Sequence, residues 1–211
     1  KTDDEKKKVA IIEKAINLIS NEKRLLDNLE KEDIDYLNTF QLISIKPVVY
    51  VCNVDENSAV NGNEFTKQID EYAKKNNSEV LLVSAKIESE ISQITDENEK
   101  KEFLESLGLV ETGLKRVIRK GYEILNYINF FTAGEKELRA WTIIKGSHAP
   151  TAAGTIHSDM EKGFIRAETI SYNDYVEYKG EAGSKEKGKL RLEGKEYLVQ
   201  DGDVMHFLFN V

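Results

Sequence analysis

The chain has 211 residues, of which 40% are hydrophobic and 32% charged, and its net charge at pH 7 is −8. This length and composition predict a soluble globular protein of one large or two small domains, and the acidic balance excludes a protein that coats nucleic acid through bulk positive charge. The single cysteine, Cys52, excludes an internal disulfide and favours a reducing compartment. Because the sequence has no apolar run of about 18 residues and no signal-peptide pattern, we expect a cytoplasmic protein that does not contact a membrane. Its first residue, Lys1 rather than Met, suggests a piece of a longer protein.

Residues 1–44 are rich in helix-forming side chains and predict a helical arm. The apolar positions recur at alternating gaps of three and four, as in a coiled-coil seam: Val9, Ile12, Ile16 and Ile19. A seam this short cannot bury itself, so one interpretation is a partner helix from upstream sequence. The other interpretation is an ordinary amphipathic helix that lies on the next domain.

Residues 45–128 open with a strand, a helix and a second strand. Pro47 introduces the run VVYVC, which is apolar on both faces and is typical of a parallel strand covered on both sides. The helical run EFTKQIDEYAKK and the second strand, EVLLV, follow. The helix carries its apolar residues on one stripe: Phe65, Ile69, Tyr72 and Ala73. This spacing predicts a βαβ unit with parallel strands.

Polar groups follow both strands, at Asn53–Glu56 and at Ser84–Lys86. Parallel strands end at the same edge of a sheet, and open α/β sheets bind ligands outside that edge. Each cluster alone is equally typical of loops and helix caps. Their matching positions at the ends of one βαβ unit favour a binding site.

Two more helices are predicted before the character of the sequence changes. The first, DENEKKEFLESLGL, has a stop signal at Gly108, and the second, ETGLKRVIRKGYEIL, has one apolar side. That side is formed by Leu114, Val117, Ile118 and Leu125. From residue 129 to residue 211, short alternating runs and glycine-containing turns predict a small α+β sheet with one helix across a face. That helix is expected to end near Gly163.

Four cations alternate near the C-terminus: Lys185, Lys187, Lys189 and Arg191. On a strand they would share one face at a spacing of about 6–7 Å, and such a line can follow a phosphate backbone in RNA. An edge strand kept soluble by lysines is the alternative. Trp141 and His157 are expected to pack or cap, and no metal-ligand spacing or nucleophile–base pair is recognisable.

The motifs NVDE, residues 53–56, and VSAK, residues 83–86, resemble the base-recognition elements of P-loop GTPases, Asn-Lys-x-Asp and Ser-Ala-Lys. Together with the run FFTAGEKELRAWTIIKGSHAPTAAGTIHSDMEKGFIRAE, they are similar to the YchF or Obg-like ATPases, which are Obg-related but prefer ATP. The resemblance implies an α/β fold: a coiled-coil arm (1–44), the C-terminal, Rossmann-like part of a P-loop NTPase domain (45–128), and a TGS domain of ubiquitin-like β-grasp fold (129–211).

The resemblance also implies which residues contact a nucleotide base: Asn53, Val54, Glu56, Ser84, Ala85 and Lys86. Val54 replaces the family lysine of the GTPases, and Glu56 replaces their aspartate. In the GTPases the aspartate carboxylate accepts hydrogen bonds from the two adjacent donors on guanine, a pair that adenine lacks. Because the carboxylate here is on Glu56, whose side chain is one methylene longer, we expect selectivity for guanine to weaken or reverse.

A phosphate-binding loop, G-x-x-x-x-G-K-[ST], is not found, since the pairs Gly188–Lys189 and Gly194–Lys195 precede Leu190 and Glu196. The resemblance implies that the parent protein binds and hydrolyses ATP with Mg²⁺, with GTP as a second candidate substrate. Because the loop is not found in these residues, we expect this chain alone to be inactive as an enzyme. The family further implies ribosome or RNA as a partner. The alternative is a non-catalytic TGS module that binds RNA or protein, with the partial nucleotide domain as a scaffold. The sequence leaves the oligomeric state undecided.

Overall fold

Two separate β-sheets organise the chain into a mixed α/β structure. The structure, a computed structural model, describes residues 2–134 and 137–210. The chain divides into two compact units, Lys1–Val117 and Ile118–Val211. The first contains a two-stranded sheet and the second a five-stranded sheet.

The first unit begins with helices α1 (Asp3–Ser20) and α2 (Lys31–Asn38). Thr2 and Glu5 form a reciprocal capping box that satisfies amides at the start of α1. The buried side of α1 carries Ile11, Ala15 and Leu18, and it packs on a cluster formed by the segment that follows: Leu25, Leu29, Leu37 and Ile45.

The buried side of α1 is therefore not the predicted seam, which is largely exposed, with Ile16 at 59%. Apolar residues of α2 and of the segments on either side of it cover this face of α1. Because α1 packs mainly on residues of the arm itself, this packing tests neither the partner-helix interpretation nor the interpretation of a helix on the next domain, and both stay predictions.

The predicted βαβ unit with parallel strands is confirmed. Strands β1 (Val49–Asn53) and β2 (Glu79–Val83) pair in parallel, with Asn53 opposite Val83. Helix α3 connects them and has the predicted bounds, Glu64–Lys75. Asn63 and Thr66 form its capping box, so local hydrogen bonds define its start.

The prediction that this sheet is covered on both sides is wrong for the residues described. Cys52 and Leu82 face an apolar cluster, but Val51 on the other face is 51% exposed. The stripe of α3 is buried only at Ala73, while Phe65 is 77% exposed. Strands β1 and β2 are apolar on both faces, but in the part of the chain described here only one of these faces packs against an apolar cluster.

Three further helices complete the first unit and lead into the second: α4 (Ala85–Gln93), α5 (Glu97–Ser106) and α6 (Gly113–Ile124). Helix α4 is not among the helices that the sequence predicts. It forms because Ile87 and Ile91 recur on one side and enter the same apolar cluster as Val54. Gly108 has a φ of +71°, as its predicted stop role requires. The apolar side of α6, in contrast, is exposed along Leu114 and Ile118.

The second unit contains an antiparallel hairpin, two helix pairs and a parallel central pairing. The strand order is β4-β3-β7-β5-β6, in which β3 and β7 are parallel and the other pairings are antiparallel. The elements are β3 (Tyr127–Ala133), β4 (Leu138–Ile144), α7 (Ala149–Ile156), α8 (Ser158–Lys162), β5 (Phe164–Ser171), α9 (Tyr172–Glu177), α10 (Glu181–Glu186), β6 (Arg191–Glu193) and β7 (Asp203–Phe209).

The core of this unit lies between the sheet and α7. Phe130 and Ala167 of the sheet are fully buried against Ala152 and Ala153 of the helix. The single helix predicted near Gly163 is two helices, because His157 is extended between α7 and α8 and its Nδ1 accepts a bond from the Asp159 amide at 3.2 Å. None of the helices among residues 2–134 and 137–210 combines the length and apolar character needed to cross a bilayer.

Candidate functional site

The polar groups after β1 and β2 meet at one edge of the first sheet, as predicted. The Asn53 side-chain oxygen Oδ1 accepts a hydrogen bond from the Ala85 amide at 3.0 Å. Next to it, the Val54 amide donates to the Val83 carbonyl at 2.9 Å and extends the ladder by one residue. The two chain segments that leave the strands are therefore tied together by one side-chain bond and one backbone bond.

Asp55 has a local structural role. Its Oδ1 accepts a bond from the Ser58 amide at 2.9 Å and caps the short 3-10 helix Glu56–Ser58. The tight turn that follows β1 is thereby fixed. Sequence reasoning did not identify this cap, although an Asp three residues before a Ser amide is a common capping arrangement.

Glu56 and Lys86 form an ion pair between the two segments. The distance between Lys86 Nζ and Glu56 Oε1 is 2.8 Å, and the Lys86 ammonium also lies 3.9 Å from Glu90. The hydrogen bond to Glu56 raises the pKa of Lys86, with the Glu56 charge as the second cause, so the ammonium form is favoured. The pair is open to solvent, with side-chain exposures of 67% for Lys86 and 37% for Glu56.

Two of the predicted site residues point inward. Ser84 is buried and its Oγ accepts from the Ile87 amide at 3.5 Å, which caps the start of α4. Val54 is buried in the apolar cluster with Ile87 and Ile91. At the exposed edge lie the other four predicted residues: Asn53, Glu56, Ala85 and Lys86.

The strand predicted through the four C-terminal cations is wrong. Lys185 lies in the last turn of α10, and Lys187 is the residue that caps its end. Gly188 then adopts a φ of +66°, which turns the chain out of any regular strand. Only Arg191 belongs to a strand, as the first residue of β6. Alternation at a period of two therefore does not place these cations on one face.

Two of these cations are paired with acidic residues. Lys189 Nζ lies 3.1 Å from Asp174, and Arg191 Nη2 lies 3.3 Å from Asp203. The pKa of Lys189 is raised mainly by its hydrogen bond to Asp174. Lys185 and Lys187 are exposed.

Asp203 anchors a buried network that sequence reasoning missed. Only 2% of this residue is exposed. Its carboxylate accepts bonds from the Tyr197 hydroxyl at 2.7 Å, the Gln200 amide at 2.9 Å and Arg191 at 3.3 Å. Burial, followed by the hydrogen bond to Asp203 and the charge of Asp203, raises the pKa of Tyr197 to about 12. Arg191 is in β6, and Tyr197 and Gln200 lie in the segment between β6 and β7, so the network depends on how this segment folds back onto β7.

The expectation that Trp141 and His157 are packing or capping residues is confirmed. The Trp141 indole donates to Thr132 Oγ1 at 2.9 Å, and the Arg139 guanidinium lies 4.1 Å from the centre of the indole ring. His157 caps α8.

Comparison with known proteins identifies the family. The family model YchF-GTPase_C, described as a protein of unknown function (DUF933), matches residues 127–210. The ribosome-binding ATPase YchF of Pasteurella multocida is 49% identical over 99% of this chain, and that of Bacillus subtilis is 52% identical over 86%. The chain belongs to the YchF family. It spans 57% of the Pasteurella relative and 50% of the Bacillus relative.

A solved structure agrees with this YchF-family assignment. The YchF GTPase of Schizosaccharomyces pombe matches with a TM-score of 0.82 and 32% identity, over 96% of this chain and 55% of that one. A GTP binding protein from Pyrococcus horikoshii OT3 matches with a TM-score of 0.56 and 18% identity, over 87% of this chain and 58% of that one, and it shares the fold alone. Both YchF-family units of this chain therefore have structural counterparts.

Proposed function

We propose that this chain carries the base-recognition part of a nucleotide-binding domain in a ribosome-associated ATPase that acts in the cytoplasm. The relatives from Pasteurella multocida, Escherichia coli O157:H7 and Bacillus subtilis are named ribosome-binding ATPases. Because the chain spans about half of their length, the ATPase activity and the ribosome contact belong to the whole protein.

The observation that carries the proposal is the bond from the Ala85 amide to Asn53 Oδ1. It joins the two segments that would enclose a purine. Because the bond uses only the side-chain oxygen of Asn53, the two N–H donors of its amide group could bind the base. Glu56 and Lys86 supply charged groups beside it. Val54 and Ser84, which are buried, would act by holding the backbone of these segments.

The proposed domain organisation extends this assignment to the whole chain. Residues 1–44 form a helical arm, residues 45–128 part of the nucleotide-binding domain, and residues 129–211 a TGS domain. The five-stranded order, with a parallel pair at its centre and a helix across one face, supports a β-grasp fold for the last of these.

In this proposal, Mg²⁺ and the phosphates of the nucleotide are bound by residues other than those described. Among residues 2–134 and 137–210, no three His, Cys, Asp or Glu side chains converge to bind a metal ion. The two Gly-Lys pairs follow α10 and β6 rather than opening a helix. We therefore assign no Mg²⁺ ligand, phosphate ligand or catalytic step to the described residues.

Nucleotide binding by Asn53→Ala and Glu56→Ala variants tests the proposal. In the longest natural chain that carries this sequence, both substitutions should change the ratio of ATP to GTP affinity, measured by titration calorimetry. Asn57→Ala, at a neighbouring exposed amide, should leave the ratio unchanged. Equal ratios in all four proteins would contradict base recognition at this edge. The 211-residue chain itself should release no phosphate from ATP above a no-protein control.

A second candidate function is RNA binding by the second unit. It is favoured by the exposure of Lys185 and Lys187 at the end of α10. If binding is electrostatic, Lys187→Glu should weaken it and reduce its salt dependence. Lys189→Glu should have a smaller effect, since Asp174 already neutralises Lys189. If neither reversal changes the affinity or its salt dependence, this surface does not contact RNA.

A further inference from the structure

We propose that strand β4 of the second unit is a self-association surface, at which a second copy of this chain adds its own β4 in antiparallel orientation and continues the sheet. The two strands are centred on Trp141, so Ala140 of one copy lies opposite Thr142 of the other. This surface takes no part in the proposed nucleotide site, and the two proposals are therefore independent.

The two edges of the five-stranded sheet differ in how well they are protected. Strand β6, at one edge, has three residues, of which Arg191 and Glu193 are charged. Strand β4, at the other edge, has seven residues and no proline or bulge, and within the described part of the chain it pairs with β3 alone. Natural sheets protect their edges with short strands, charges, prolines or bulges, because an open edge pairs with other chains. The single charge of β4, on Arg139, is held over the Trp141 ring.

Two backbone hydrogen bonds show which groups of β4 face away from the sheet. The Gly134 amide donates to the Glu137 carbonyl at 2.9 Å, at the start of the strand. At its end, the Lys145 amide donates to the Asn126 carbonyl at 2.8 Å. Because bonding directions alternate along an antiparallel strand, the odd-numbered residues bond to β3. The residues that direct their N–H and C=O groups outward are Leu138, Ala140, Thr142 and Ile144.

These outward groups are complementary to themselves when a second β4 lies antiparallel. The N–H and C=O groups of Ala140 then bond to those of Thr142 in the second copy. Beyond this pairing, the Ile144 amide donates to the Leu138 carbonyl of the other copy. The Ile144 carbonyl already accepts from the Ser147 amide at 3.1 Å and from its hydroxyl at 2.7 Å, so the ladder ends there. The pairing thus uses the outward groups that the protein itself leaves open.

Side chains select this register among those that the backbone permits. It places Leu138, which is 76% exposed, opposite Ile144, which is 59% exposed. It also places the exposed carboxylate of Glu137 opposite the exposed ammonium of Lys145. Two-fold symmetry makes each of these pairings occur twice, and cross-strand pairs of both kinds are stabilising. A shift by two residues in one direction sets Lys145 against Arg139, and a shift in the other direction moves Glu137 off Lys145.

Sedimentation velocity at increasing protein concentration tests the surface, in the longest natural chain that carries this sequence. The wild type should pass from monomer to dimer. Ala140→Pro removes an outward N–H, which an edge strand tolerates, and should weaken dimerisation by about a hundredfold. Ala140→Ser keeps the amide and should dimerise as the wild type does. A wild-type protein that stays monomeric overturns the proposal, and so does Ala140→Pro if it dimerises as tightly as Ala140→Ser.

Charge reversals test the register and do not alter the backbone. Glu137→Lys and Lys145→Glu each bring like charges together twice, and each should weaken dimerisation by about tenfold. An equimolar mixture of the two variants should recover the wild-type affinity, because every lysine at these positions then meets a glutamate. Lys162→Glu, at an exposed residue of α8, makes the same change in net charge and should have no effect. A mixture as weak as its components, or a dimer that none of these changes affects, overturns the inference.

Discussion

Two carboxylate–cation pairs, one in each unit, differ in how much of their hydrogen-bonding capacity the protein itself uses. In the second unit, Asp203 accepts from a tyrosine hydroxyl, a backbone amide and Arg191, and it is almost fully buried. In the first unit, Glu56 is paired with Lys86, and both side chains are open to solvent.

This difference separates a structural carboxylate from one that is available to a ligand. A buried carboxylate must be satisfied by protein groups, because an unpaired charge in the interior is costly. A half-exposed carboxylate keeps water on its free lone pairs, and a ligand can replace that water. Sequence position alone does not distinguish the two, since each lies close to the end of a strand: Asp203 is the first residue of β7, and Glu56 follows β1 in a short 3-10 helix.

The largest expected effect is that of Asp203→Asn. The new amide nitrogen, itself a donor, would face the donors that now bind the Asp203 carboxylate. The free energy of unfolding should therefore fall by about 2–3 kcal/mol, less than for a fully buried ion pair because Arg191 is partly exposed to solvent. Urea unfolding followed by fluorescence of Trp141, the single tryptophan, reports on the unit that contains Asp203. Glu196→Gln, at a neighbouring exposed carboxylate, should change stability by less than about 0.5 kcal/mol. Equal effects of the two substitutions would remove the basis of the comparison.

A smaller effect is expected from the phenol of Tyr197. Its pKa is raised to about 12, above the ordinary value of about 10, so the folded state favours the protonated phenol that donates to Asp203. The resulting stability is fully present below pH 10 and is lost as the pH rises through about 12. Unfolding free energies measured from pH 9 to pH 12 should decline in the wild type. Tyr197→Phe should lower stability by about 1 kcal/mol at pH 8 and should show a weaker decline, and parallel curves would contradict this assignment.

Asn53→Ala tests the hydrogen bond between the Ala85 amide and the Asn53 side chain in the first unit. Loss of the bond to the Ala85 amide should cost about 0.5–1 kcal/mol, because water can replace the exposed acceptor. The local readout is hydrogen exchange of the Ala85 amide by NMR, which should accelerate in Asn53→Ala. Asn57→Ala should leave that exchange rate unchanged. An unchanged rate in both variants would show that this hydrogen bond does not protect the amide in solution.

The smallest expected effect on stability is that of Glu56→Gln. Since the pair with Lys86 is open to solvent, the melting temperature should not move beyond the error of the measurement. A clear loss of stability would place Glu56 with Asp203 among the structural carboxylates, and would remove the distinction between the two pairs.

Local signals in the sequence were sufficient for part of the fold. The bounds of α3 follow from its 3.6-residue period and from a cap by Asn63 three residues before Thr66. The parallel pairing of β1 and β2 follows from two apolar runs separated by one helix. The meeting of their polar ends, with Asn53 near Ala85, was a direct consequence of that pairing.

The strand predicted near the C-terminus was wrong, because that prediction depended only on charged residues at every second position. The basic residues from Lys185 to Arg191 alternate as in a strand, yet α10 and the turn at Gly188 occupy that region. The helix is fixed by Ser184, whose buried hydroxyl donates to the Gly180 carbonyl at 2.8 Å. A buried polar contact of this kind outweighs the period of exposed charges, which contribute little to the free energy of folding.

By itself, the sequence determined the secondary-structure elements with strong periods and caps, the parallel pair and the edge where polar residues gather, because these depend on neighbours within a few turns of the chain. Only the tertiary structure decided which face of α1 is covered, which of the predicted side chains point inward, and which charges find partners. Lys86 forms an ion pair with Glu56, and Asp203 accepts hydrogen bonds from Arg191 and Tyr197. No periodic pattern in the sequence predicts these pairings. Burial and pairing are properties of the packed chain, and they decide whether a carboxylate supports the fold or remains open to a ligand.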